Sequence, residues 1–266
     1  MNILQKPLFP PPDDVNLILA GTGIDGAAQV ILLKNLSLEY INAARQVHVI
    51  SGSAFSYFII QASIEGALRF SNFVNFDALN RRLHGASFWM NLLCTPAVVW
   101  GRRSYYPNAK LGETVKHIFH DSFCRKTLSS FPENLTLWSY CENRKSLVEV
   151  SRRTGFGDLS VVDMIKAAAS TRFLHGAFIY EDYSFVDPNY TPLAKNLHRK
   201  IRSKEQTNIV LNYRKDGRWK NNYFIKHNQA KRPDLKIAID FVRFIMNLPN
   251  PDISKANSTL ITQLEK

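Results

Sequence analysis

Two short stretches of this chain carry residue types that can do chemistry at a turn between a strand and a helix. In the first, an apolar run ends at three glycines with the spacing Gly21-x-Gly23-x-x-Gly26, and a helical pattern follows. In the second, the apolar run 46–50 is followed by Ser-Gly-Ser-Ala-Phe, with Ser53 at the centre. A glycine turn before a helix exposes main-chain N–H groups that bind an anion, and a serine at such a turn presents its hydroxyl as a nucleophile.

The glycine spacing has two interpretations. It is typical of a loop that binds the pyrophosphate of a dinucleotide, and also of a loop whose N–H groups hold the oxyanion in a serine hydrolase. The dinucleotide interpretation requires an acidic residue at the end of the next strand, where it binds the ribose hydroxyl. The strand pattern 46–50 runs instead into serine and glycine, with no Asp or Glu at that point. The sequence therefore favours the hydrolase interpretation.

Together the two stretches resemble the patatin-like phospholipase family, whose bacterial members read Leu-Ser-Gly-Gly-Gly-x-Arg-Gly-x-x-Gln-x-Gly-x-Leu and then Gly-Thr-Ser-Ala-Gly-Ala. The residues in register with these motifs are Gly21, Gly23, Gly26, Gln29, Leu33, Leu36, Ser53 and Ala54. Further along, Ala168, Ala169 and Ser170 match the family's alanine/serine run, and residues 185–187 match the approach to its catalytic aspartate. The resemblance covers about residues 16–213. It implies a patatin-like three-layer α/β fold with a mainly parallel central sheet flanked by helices.

The resemblance also implies an activity, that of a lipid acyl hydrolase of the phospholipase A or lysophospholipase type. That family uses a serine–aspartate dyad without histidine. Ser53 would be the nucleophile, and Asp187 the general base that accepts its proton. The main-chain N–H groups of Gly21, Thr22 and Gly23 would form the oxyanion hole. We expect no metal and no cofactor.

Three of the departures from the family pattern bear most directly on catalysis. Asp25 replaces the loop arginine, Phe55 replaces the glycine two residues after the nucleophile, and Pro188 replaces the glycine after the aspartate. These departures leave a second hypothesis open, in which the protein is a catalytically impaired relative that binds anionic lipid or a protein partner.

The charge balance favours anionic partners. The chain has 34 Lys and Arg against 22 Asp and Glu, a formal net charge of +12, and much of the excess lies in residues 195–236. Within them, residues 213–226 alternate cations with aromatic residues, which suits an anionic membrane surface and also single-stranded nucleic acid. Given the lipase-like first half, we expect phospholipid or lysophospholipid, an anionic membrane, and an activating protein as a further candidate. A basic nucleic-acid-associated protein is the least favoured hypothesis.

Length and patterning predict one main domain. A chain of 266 residues, 45% of them hydrophobic, can bury one sizeable core. Residues 1–14, which end in a proline-rich stretch, are predicted to form an extended arm, and residues 15–266 a single patatin-like domain. No apolar run approaches the roughly 18 residues of a membrane span, and the start does not resemble a signal peptide. We therefore expect a cytoplasmic or peripheral membrane protein, with secretion by a route that needs no signal peptide as the alternative.

The elements that must position the site follow an α/β pattern. Strand patterns occur at 15–20, 46–50, 135–141 and 208–213, and two short strands are predicted within 177–187, joined at Glu181 and Asp182. Helical patterns occur at about 27–44, 54–70, 75–85, 110–124, 159–171 and 236–248. The repeated order of strand, loop and helix at the start predicts a parallel sheet.

Overall fold

The computed structural model of the protein describes residues 10–21, 29, 33, 36–69, 108–171, 175–212 and 224–226. Several predicted features lie outside the described residues. These are the helices at 75–85 and 236–248, the loop positions Thr22, Gly23 and Asp25, and most of the basic stretch beyond residue 212.

A mixed, mostly parallel sheet lies at the centre of the described fold. Its strands are β1 Val15–Leu19, β2 Gln46–Ile50, β3 Leu135–Cys141, β4 Ser146–Val150, β5 Phe178–Tyr180, β6 Tyr183–Val186, β7 Thr207–Asn212 and β8 Phe224–Lys226. They are arranged in the order β5-β6-β3-β2-β1-β7-β8, and β4 pairs with β3. Strands β3, β2, β1, β7 and β8 run parallel, whereas β4, β5 and β6 form antiparallel pairs. The predicted parallel sheet is confirmed.

The described helices are α1 Leu38–Ala43, α2 Ser53–Ile64, α3 Asn108–Ile118, α4 Asp121–Cys124, α5 Val161–Ala169 and α6 Ala194–Ile201. Two predicted helices are interrupted. The pattern at 27–44 breaks at Ser37, which has a positive φ of 61° and whose hydroxyl accepts the N–H of Tyr40 to cap α1. The pattern at 110–124 divides into α3 and α4. Among the described helices, none combines the length and apolar composition that crossing a bilayer requires.

Helices cover both faces of the sheet. Successive side chains of a strand point to opposite faces, so each central strand contributes to two cores. The larger core contains Leu17 and Val49 and is covered by α2 and α5. The smaller core contains Ile18 and Trp138 and is closed by Leu197 of α6. Burial on both faces explains why the parallel strands read as continuous apolar runs.

Candidate active site

Ser51 directly follows β2 and begins the turn into α2. Its φ of 58° lies in the left-handed region, which residues other than glycine rarely adopt. The N–H of Ala54 donates to the Ser51 carbonyl at 3.0 Å, and the N–H of Phe55 donates to the Gly52 carbonyl at 3.1 Å. Only Ser51 and Gly52 therefore separate the strand from the helix. A sharp strand-to-helix turn with a strained serine at its apex is the geometry of a nucleophile elbow.

Asp187 directly follows β6 and faces this turn. Its Oδ2 accepts the hydroxyl of Ser51, and its Oδ1 accepts the N–H of Asn189 at 2.9 Å, which caps the 3₁₀ turn Pro188–Tyr190. The N–H of Asp187 itself donates to the carbonyl of Ser170, at the end of α5, at 2.7 Å. Both carboxylate oxygens are thus hydrogen-bonded, and the main chain on either side of the acid is held.

A buried serine on β3 fixes the strand that carries the acid. The hydroxyl of Ser139 lies 2.7 Å from the carbonyl of Ala167, in α5, and 3.1 Å from the carbonyl of Val186, which precedes Asp187. Val186 also pairs with β3 at the register of Tyr140. The central strand, the alanine-rich helix and the acid are therefore joined through one side chain.

The environment of Asp187 raises the pKa of its carboxyl toward neutral pH. Its side chain is only 2% exposed, and this burial raises the pKa of the carboxyl from about 3.8 to about 7. The hydrogen bonds from Ser51 and from the Asn189 N–H stabilise the ionised form and oppose part of the rise in pKa. A base with a pKa near 7 can take a proton from a hydroxyl and return it at neutral pH.

The structure brings Asp187 together with Ser51 and not with the predicted Ser53. Ser53 is the first residue of α2, is fully buried, and donates its hydroxyl to the carbonyl of Ala20 at 2.7 Å. Ser51 is the serine that faces the acid. The physical reason is that the left-handed turn comes directly after the strand, so that by Ser53 the chain is already helical. The predicted strand end at residue 50 was the signal that could have identified Ser51.

The start of the glycine loop lies against Ser51. Of the three predicted oxyanion-hole residues, Gly21 is described, whereas Thr22 and Gly23 lie outside the described residues. A Cβ at Gly21 would come 2.1 Å from Asn189 Nδ2, 2.7 Å from Ser51 Cβ and 3.2 Å from Ser51 Oγ. Only glycine fits there. The side-chain amide of Asn189, to which the sequence analysis assigns no role, therefore lies against Gly21, close to the turn that carries Ser51.

Gln29 ties the structure around this loop to the sheet. It is fully buried, and its Nε2 donates to the carbonyls of Ala20 at 3.0 Å and Leu211 at 2.9 Å. These carbonyls stand at the carboxyl ends of the neighbouring strands β1 and β7. The Ala20 carbonyl also accepts the Ser53 hydroxyl. Two residues that match the family motifs, Gln29 and Ser53, thus brace the end of β1.

The two described departures from the family pattern are accommodated by the fold. Phe55, in the first turn of α2, is half-buried and packs against the larger core. Pro188 is buried at the first position of its 3₁₀ turn, where its fixed φ and missing N–H are tolerated.

The sequence matches no protein-family model, and no curated protein matches it. The site is therefore characterised by the chain's own geometry. It combines a strained serine at a strand-to-helix turn, a buried aspartate that accepts its hydroxyl, and a glycine that lies against the serine and against Asn189.

Proposed function

We propose that this protein is a carboxylic ester hydrolase of the patatin-like type that cleaves acyl esters of phospholipids or lysophospholipids. Ser51 is the nucleophile, and Asp187 is the general base. The hydrogen bond from Ser51 Oγ to Asp187 Oδ2, made at a strained strand-to-helix turn, carries the proposal. The three-layer patatin-like domain at residues 15–266 belongs to the same proposal, and helices on both faces of a mostly parallel sheet support it.

In the first half of the reaction, Asp187 accepts the Ser51 proton as Oγ attacks the ester carbonyl. The N-terminus of α2 follows Ser51 directly, so the positive end of its dipole favours negative charge near Oγ. The oxyanion is held by main-chain N–H groups of the loop that starts at Gly21 and by the amide of Asn189. One donor of this kind typically lowers the barrier by about 3–4 kcal/mol.

The second half of the reaction returns the site to its starting state. Asp187 gives its proton to the oxygen of the leaving alcohol as the carbonyl–oxygen bond breaks, which leaves Ser51 acylated. Water then attacks the acyl-enzyme while Asp187 accepts one of its protons. The carboxylic acid departs as Ser51 Oγ is reprotonated, so the net reaction consumes one water per ester.

Two features support a lipid as the substrate. The net charge of +12 favours an anionic surface. In addition, Tyr190 is 67% exposed only three residues after Asp187, and aromatic side chains of this kind suit the headgroup region of a bilayer. An acyl ester in an anionic membrane satisfies both features.

The matched pair Ser51→Ala and Ser53→Ala tests the proposal. Fatty acid release from phospholipid vesicles and from p-nitrophenyl esters is measured for each variant. We expect Ser51→Ala to lower kcat by about 10³-fold or more. Ser53→Ala should retain kcat within about tenfold and cost about 1 kcal/mol of stability, since it removes one buried hydrogen bond. Activity that survives in Ser51→Ala and disappears in Ser53→Ala would refute the assignment of the nucleophile.

The burial of the Ser51–Asp187 pair favours a second candidate function. In this alternative the protein is a catalytically impaired patatin-like relative that binds anionic lipid without turnover. Ser51 is 4% exposed and Asp187 is 2% exposed. Labelling with a fluorophosphonate, followed by mapping of the modified peptide, distinguishes the two functions. A phosphonyl adduct on Ser51 supports the hydrolase. Vesicle binding with neither labelling nor ester cleavage, with and without a cell extract that supplies an activating protein, supports the second candidate.

A further inference from the structure

A polar cleft of about 340 Å³ lies on the face of the sheet that α6 covers. Its walls come from the amino-terminal ends of β2 and β3, from the segment after β4, and from the end of α6. A volume of this size is in the range that holds a small molecule. The cleft shares no residue with the candidate active site.

The cleft gathers positive charge from distant parts of the chain. Its charged lining residues are the cations Arg45, Arg153, Lys200 and Arg202 and the acids Glu133 and Glu149. Both acids already have a partner. Glu133 Oε1 lies 3.8 Å from Arg152 Nη1, and Glu149 accepts the Ser151 hydroxyl at 3.0 Å. Counting both acids as charged, the lining still has two positive charges in excess. Cations held together in this way repel one another unless an anion lies between them.

A chain of hydrogen bonds directs a neutral donor toward the same cleft. The indole N–H of Trp138 donates to Nδ1 of His48 at 3.0 Å, so the ring proton resides on Nε2. Nε2 then donates to Gln46 Oε1 at 3.2 Å. Gln46 lines the cleft, and its NH₂ group is the donor that this hydrogen bond leaves on the side chain. Burial lowers the pKa of His48 to about 4, which keeps this arrangement intact at neutral pH.

Lys200 is held at the mouth of the cleft by an aromatic ring. Its Nζ lies 5.0 Å from the ring centroid of Trp138, a cation–π contact, while the side chain remains exposed. Lys200 and Arg202 belong to the basic stretch 195–236 that the sequence singled out. The fold therefore places part of that basic stretch in the wall of the cleft.

We propose that this cleft binds a soluble small molecule that carries a phosphate group. Guanidinium groups match phosphate oxygens in pairs, and an excess of two positive charges balances a phosphate monoester. The cleft lies at the opposite end of β2 from Ser51, roughly 16 Å away at about 3.3 Å per residue. A membrane that meets the Ser51 end of the sheet therefore does not reach it, which favours a soluble phosphate over a lipid headgroup. The choice of a soluble phosphate over a lipid headgroup rests on the proposed function, whereas phosphate binding by the cleft does not.

Calorimetric titration of the 266-residue chain with inorganic pyrophosphate tests the proposal. An ionic strength of about 0.1 M limits non-specific electrostatic attraction. The variants are Arg45→Gln and Lys200→Gln, with Arg153→Gln as a further cleft variant on an exposed side chain. Lys204→Gln is the matched control, because Lys204 is an exposed cation of the same basic stretch outside the cleft. We expect each cleft variant to weaken binding by about tenfold or more, and the control to leave it unchanged.

The remaining outcomes overturn the proposal. Equal losses in Lys204→Gln and Lys200→Gln would mean that pyrophosphate senses only net charge. Binding to phosphatidylcholine vesicles that contain phosphatidic acid, lost in the cleft variants but without any pyrophosphate binding, would assign the cations to a lipid headgroup. No binding to either probe would leave the cleft without a phosphate ligand.

Discussion

Replacing Asp187 by asparagine is expected to stabilise the protein at alkaline pH and to have little effect at acid pH. Above a pH of about 7 the native state must hold an ionised carboxylate that is 2% exposed, whereas the unfolded chain ionises it in water. Asparagine has the same shape without the charge. Its oxygen can still accept the Asn189 N–H, and its NH₂ can donate to Ser51 Oγ.

The magnitude follows from the pKa of Asp187. A carboxyl whose pKa is raised on folding contributes stability that is fully present below the unfolded pKa and is lost as the pH rises through the folded pKa. The native pKa is about 7, against 3.8 for the unperturbed group. Between pH 5 and pH 8 the loss is about 3 kcal/mol, because about two pKa units lie in that interval at about 1.4 kcal/mol each. At about 2–4 °C per kcal/mol, the Tm advantage of Asp187→Asn should grow by roughly 6–12 °C.

Thermal melts followed by circular dichroism at pH 5, 6, 7 and 8 measure this difference. The control is Asp182→Asn, which removes an exposed carboxylate from the turn between β5 and β6. As the pH rises, we expect the Tm of the wild type to decrease relative to the Tm of Asp187→Asn. The difference in Tm between the wild type and the control should stay constant with pH. If the wild-type and Asp187→Asn curves stay parallel over the whole range, Asp187 ionises as a solvated acid does, and the argument from burial is wrong.

Three further predictions follow from the same site. Gly21→Ala places a methyl group 2.1 Å from Asn189 Nδ2, so denaturant unfolding should show a loss of about 1–3 kcal/mol, and an unchanged midpoint would contradict the close approach. Gln29→Leu removes two hydrogen bonds to the carbonyls at the ends of β1 and β7, and should lower the free energy of unfolding by about 2–3 kcal/mol in the same assay. An unchanged free energy of unfolding would mean that water replaces the amide. The kcat/KM for ester cleavage should rise about tenfold per pH unit below about 7 and level off above, since Asp187 must be ionised to act as a base, and a flat profile from pH 5 to 8 would exclude that role.

The central strands could be predicted from the sequence because they are buried on both faces. Strands β2 and β3 have the predicted bounds, and the two short strands within 177–187 are β5 and β6. Helix interruptions were less predictable. Ser37 ends one helical pattern through its own left-handed conformation, and apolar periodicity does not reveal that conformation in a residue other than glycine.

The serine that contacts Asp187 lies two positions before the one that the motif indicates, for a related reason. Motif matching places a serine at the centre of a glycine-bounded pattern, and here Ser53 occupies that centre. What determines which hydroxyl meets Asp187 is the φ of the residue after the strand, and a pattern of residue types does not report backbone conformation. Asp187 itself can be singled out from the sequence, because the order of alanine-rich helix, short strand and aspartate is local in the chain.

The cleft beside α6 could not be predicted from the sequence. Its cations are contributed by residues 45, 153, 200 and 202, which are brought together only by the sheet order and by the path of α6. In the sequence, Lys200 and Arg202 belong to a basic stretch, which is equally compatible with a membrane, nucleic acid or solvent.

The hydroxyl of Ser139 has one proton, yet two carbonyls lie within reach of it. Strengthening one of these contacts therefore weakens the other. A slight displacement of the alanine-rich helix thus changes how firmly the chain just ahead of Asp187 is held, although neither Ser51 nor Asp187 has been altered. Conservative substitutions beneath that helix therefore change the geometry of the Ser51–Asp187 contact while both of those side chains stay the same.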